Sequence, residues 1–122
     1  MILTKSTKME YRLDVNKGLF TRICKELQTK GKINLSVTSL GEDMVASSVV
    51  EDSSNNRYIV NICMCDRKIN AIFIEPDTAS IRYYTDLRTY KTDALGELVK
   101  CNNDDMNKYI DDFIREVISM CR

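Results

Sequence analysis

The chain is 122 residues long, 43% hydrophobic and 30% charged, with eighteen basic residues balanced by eighteen acidic ones. That length suits one domain spanning 1–122 with a core of its own, and the charge balance speaks against a duplex-DNA binder, which needs surplus positive charge. Zero net charge also leaves little repulsion between copies, so a homo-oligomer is expected, a homodimer first.

The opening residues Met1-Ile2-Leu3-Thr4-Lys5 lack a signal-peptide core. No stretch approaches the ~18 apolar residues of a membrane span. A cytoplasmic protein with no membrane partner is therefore expected. The five cysteines are odd in number and follow no framework spacing, which reads as reduced thiols. Lys, Asn, Ile, Asp and Tyr are common, Pro occurs once, and Trp and His are absent, a usage expected of an AT-rich bacterium, phage or virus. The missing histidine removes the commonest general base and metal ligand.

In chain order, Met9, Tyr11, Leu13 and Val15 alternate with polar residues and predict a half-buried strand. Asn16 can cap a helix over 17–30, whose stripe is Leu19, Phe20, Ile23, Cys24 and Leu27; Gly31 suits its left-handed end. Five strand-like runs follow, at 33–38, 44–51, 57–65, 69–75 and 79–85. Between them stand turn signals at 40–43, 52–56, 66–68 and 75–78. The run 69–75 is nearly all apolar, which predicts a central strand covered on both faces. The short connections favour an antiparallel meander. Thr92 or Asp93 would start a short helix carrying Ala94, Leu95, Leu98 and Val99, against the cost of Gly96. Asn103 or Asp104 caps the strongest helix, with Met106, Tyr109, Ile110, Phe113, Ile114, Val117, Ile118 and Cys121 on one stripe. The fold class is α+β: an N-terminal strand and helix, a five-stranded antiparallel meander, and a long C-terminal amphipathic helix packed on the sheet.

No catalytic or cofactor motif is present. Cys63 and Cys65 point to one strand face about 7 Å apart. A metal site there needs two more ligands from Cys24, Cys101 or Cys121, whereas small cysteines packing a sheet face need nothing further. Cys24 lies in an apolar stripe, where burial raises a thiol pKa and disarms it as a nucleophile. Asp104-Asp105 and Asp111-Asp112 are adjacent helix residues that diverge by about 100° and so cap or solvate. The glycines are scattered and form no phosphate loop. No metal and no cofactor are expected, and no enzymatic activity.

The stretch 82–91 interleaves basic and aromatic residues. Arg82 and Tyr84 are expected on one strand face, with Arg88, Tyr90 and Lys91 in the loop after it. Arginines clamp phosphates and rings stack on bases, so this set could hold a small anionic ligand such as a nucleotide. Tyr and Arg are also the residues enriched in protein interfaces. The preferred expectation is a non-enzymatic interaction module with a protein partner, of the inhibitor, immunity-protein or adaptor kind. The alternative is a binder or sequestering protein for a small anionic ligand.

Overall fold

The structure is a computed structural model that describes residues 15–51 and 53–121. The strand expected over 9–15 lies outside the described residues except for Val15, which is buried. Asn16 is extended and its side chain accepts the Leu19 N–H at 2.9 Å, opening helix α1 (Lys17–Gly31). Leu19, Phe20, Ile23, Cys24 and Leu27 are all buried, as their spacing requires. The left-handed position at the end of α1 is taken by Lys32 (φ 54), not by Gly31, and the Lys32 N–H bonds to the Leu27 carbonyl. Gly31 serves packing instead: a Cβ there would lie 2.9 Å from Ile118 Cγ1 of the C-terminal helix. Its missing side chain lets the two helices close at that end.

Five strands follow: β1 (Ser36–Leu40), β2 (Asp43–Glu51), β3 (Arg57–Cys65), β4 (Lys68–Ile74) and β5 (Ile81–Asp86). Each pairs antiparallel with the next, so sheet order equals chain order and the meander is realised. Strand pairing begins at Ser36, three residues later than the alternation suggests, because Ile33 and Leu35 enter the core ahead of the strand. The β3–β4 reversal places Asp66 (φ 53) and Arg67 (φ 60) in the left-handed region, as a two-residue hairpin demands. A side chain at Arg67 is strained there, so Arg67→Gly is expected to raise stability by about 1 kcal/mol. Urea unfolding would show a higher midpoint at unchanged slope, and a lowered midpoint would contradict the strain argument.

The short helix expected after Thr92 does not form. Residues Tyr90–Thr92 (β6) and Leu98–Lys100 (β7) make a small antiparallel hairpin. The Asp93 carboxylate accepts the N–H groups of Leu95 and Glu97, both at 2.9 Å, and Gly96 sits at φ +83, which no helix permits. Helix α2 (Asn103–Met120) then begins at Asn102, one residue earlier than expected, with a capping box closed by Asp105.

Both helices pack on the same face of the sheet. Their stripes meet Ala46, Tyr58, Val60, Ile62, Met64, Ile69, Ala71 and Phe73 in one buried cluster. Lys17 Nζ donates to Ser39 Oγ at 3.1 Å and to the Gly41 carbonyl at 2.6 Å, and Gln28 donates to the Leu35 carbonyl at 3.1 Å. These bonds hold α1 beside β1 and β2. Glu116 of α2 accepts Thr85 Oγ1 at 2.9 Å and the Tyr83 hydroxyl, which holds α2 over β5. The protein is thus an α+β sheet with a helical layer on one side. Among the described residues no helix is long and apolar enough to cross a membrane.

Candidate interaction surface

The strand period of two sends every second side chain away from the helices, and no described element covers them there. Ladder register then sorts these residues into rows. Val49, Ile59, Ile74 and Ile81 stand side by side across four strands. The next row is Ser47, Asn61, Ile72 and Tyr84; the one after is Val45, Cys63, Asn70 and Asp86. Val49 is 58% exposed and Ile81 65%, while Ile59, Ile72 and Ile74 are half-buried; Val49 and Ile59 also line a pocket of about 720 Å³ with Asn55, Arg57, Asp77 and Arg82. This corrects the expectation that β4 is covered on both faces. Its nearly all-apolar run arises because one face meets the core and, on the other, Ile72 and Ile74 lie in an apolar patch that no described element covers. Charges stand only toward the strand ends: Glu51 and Arg57 at one end, Asp43, Lys68 and Asp86 toward the other.

The five residues singled out between 82 and 91 separate. A register shift between Phe73 and Ile74 inserts Arg82 as the extra residue of β5. Arg82 and Tyr84 therefore do not act from one face as expected. The Arg82 guanidinium lies 5.0 Å from the centre of the Tyr58 ring, whereas Tyr84 stands 51% exposed on the uncovered face. Lys91 pairs with Asp105 at 2.6 Å, tying β6 to the first turn of α2. That pairing raises the Lys91 pKa and lowers the Asp105 pKa, each through the hydrogen bond between them first. Tyr84, Arg88 and Tyr90 do come together, in a groove of about 420 Å³ beside β5 that Lys68 and Leu98 also line. Arg88 also faces a smaller cleft under α2 with Asp86, Asp112 and Glu116, where its guanidinium lies 5.9 Å from the Tyr109 ring centre.

None of the thiols is activated. Burial pushes Cys24 and Cys121 up to about 11 and raises Cys63 and Cys101. Cys65 rises because its thiol donates a hydrogen bond to the Asp43 carboxylate, whose charge also disfavours a thiolate. Cys63 and Cys65 share the uncovered face, as alternation requires, and all five cysteines are free. Among the described residues no three His, Cys, Asp or Glu side chains cluster as metal ligands. The Tyr83 phenol is held above its ordinary value by donating to Glu116.

Two features escaped the sequence. The apolar row needs cross-strand register, which alternation within one strand does not supply. Charge is also segregated: α1 carries Lys17, Arg22, Lys25 and Lys30 against Glu26, while α2 carries Asp104, Asp105, Asp111, Asp112 and Glu116 against Lys108 and Arg115.

Among the described residues, fold and surface together define an α+β protein with one helix-covered sheet face and one face that no described element covers, which carries an apolar row. No family model matches the chain, and no curated protein or solved structure matches it.

Proposed function

We propose that this chain is a non-enzymatic, cytoplasmic protein-interaction module, of the inhibitor, immunity-protein or adaptor kind, and that the uncovered sheet face is its working surface. The row Val49–Ile59–Ile74–Ile81 carries this reading. A contiguous apolar patch with charges held to its margin has the make-up of a protein interface, apolar at its centre and polar at its rim. Tyr84 and Tyr90 extend it beside β5 as exposed aromatic anchors, both 51% exposed. The test is affinity capture from host lysate with identification by mass spectrometry. A protein held by the wild type is expected to be lost on Ile72→Lys/Tyr84→Ala, and retained by Arg22→Ala on the far helix. Equal retention by both variants would remove the sheet face from the function.

A second reading rests on the groove that brings Tyr84, Arg88 and Tyr90 together with Lys68. Two cations and two rings, with Asp86 the one acidic residue of the lining, suit a small phosphorylated ligand. A nucleotide panel that raised the melting temperature by several degrees, with the rise lost in Arg88→Ala, would favour it over the interaction module.

A further inference from the structure

Resting on the interaction-face reading, we infer that the occupant of the uncovered sheet face is a second copy of this chain, in a two-fold pair whose axis runs along the strands. Such an axis reverses strand order without changing height along the strands. Placed between β3 and β4, the middle of the four-strand row, it lays β2 on the partner's β5 and β3 on the partner's β4. Val49 meets the partner's Ile81, and Ile59 meets the partner's Ile74. The two rows become one apolar band at a single level, which is what a self-complementary, isologous contact requires. A two-fold axis across the middle of the strands would instead lay each row on the opposite, charged end of the other sheet.

Area and charge both fit. Strands ~4.8 Å apart and about six residues long at ~3.3 Å give the four overlaid strands a footprint of about 380 Å². Two copies together give about 760 Å², and side-chain relief together with β1 against the partner's groove brings this toward the ~1,000 Å² at which a specific interface holds. The row Ser47–Asn61–Ile72–Tyr84 bears no charge, nor does the apolar row beside it, so no like charges are buried at the centre. Strand β1 is left over by this overlay. It faces the partner's groove of Tyr84, Tyr90 and Leu98, and Leu40, 61% exposed, stands on the same side as the apolar row. Aligned sheets packed in this way form a sandwich with the helices outside.

A charge-pair rescue measured by sedimentation at micromolar concentration tests the geometry. Wild type is expected at twice the 14.1 kDa of one chain. Val49→Lys alone and Ile81→Glu alone are expected to weaken the dimer at least ~30-fold, the effect of a central anchor. Both residues are exposed within one copy, so circular dichroism and the melting curve of the dilute protein are expected to match wild type. Mixing the two variants should restore a pair, because one contact becomes Lys against Glu while the other stays Ile81 against Val49. Variants that stay dimeric separately would place the interface elsewhere, the exposed and uncharged β1 edge being the alternative, and would overturn the inference. Two monomers that fail to recombine would also overturn it, because the overlay would be wrong. A wild type monomeric at all concentrations would overturn the second copy as occupant. The interaction-face reading would survive that result if Ile72→Lys/Tyr84→Ala still lost a captured protein, and fall with it if not.

Discussion

Phe113→Ala is expected to lower stability by about 3–5 kcal/mol, a large share of the ~5–15 kcal/mol that holds a domain folded. Phe113 lies mid-stripe in α2 and is 2% exposed within the cluster that joins both helices to the sheet. Truncation removes the ring's transfer energy and leaves a cavity that its neighbours fill only in part. In urea the midpoint should fall steeply. A midpoint within error of wild type would mean that α2 does not seal the sheet in solution.

Tyr58 is the second position where a large loss is expected, and it separates two contributions. Its ring is 1% exposed, lies 5.8 Å from Phe73 centre to centre, and carries the Arg82 guanidinium on its face. Its hydroxyl donates to the Met120 carbonyl at the end of α2. Tyr58→Ala is expected to cost about 3–5 kcal/mol, and Tyr58→Phe about 1 kcal/mol, the net worth of one hydrogen bond. If Tyr58→Phe cost as much as Tyr58→Ala, fixing the end of α2 would outweigh filling the core.

Alternation at 57–65 and helical spacing from Leu19 to Leu27 and from Met106 to Val117 were enough to place β3, α1 and α2. In each, one local period matches one buried stripe. The failures share a cause. Asp93 and Gly96 defeated the expected short helix because a side-chain-to-backbone bond and a positive φ outweigh weak apolar spacing. Leu95, 85% exposed, had no core to enter. The nearly all-apolar run of β4 has two origins, a core face and an uncovered patch, and hydrophobicity alone does not distinguish them. At the candidate site the residue types were legible but their directions were not. One inserted residue in β5 turns Arg82 toward Tyr58, while Lys91 is taken by Asp105, a partner 14 positions along the chain. What remains together is Tyr84, Arg88 and Tyr90.

The balance of eighteen positive and eighteen negative side chains conceals an uneven placement among the described residues, where the two helices form an electric dipole of their own. The basic helix α1 lies over the β2 side of the sheet and the acidic helix α2 over the β5 side, so the moment points across the strands. A single copy near a charged surface would be turned rather than drawn, and the torque would fade beyond ~8 Å at physiological salt. A two-fold axis along the strands reverses that direction in the second copy. Pairing through the sheet faces would therefore cancel the transverse moment and leave each basic helix across the sandwich from the partner's acidic one. Association would make the protein electrically quieter without changing its net charge.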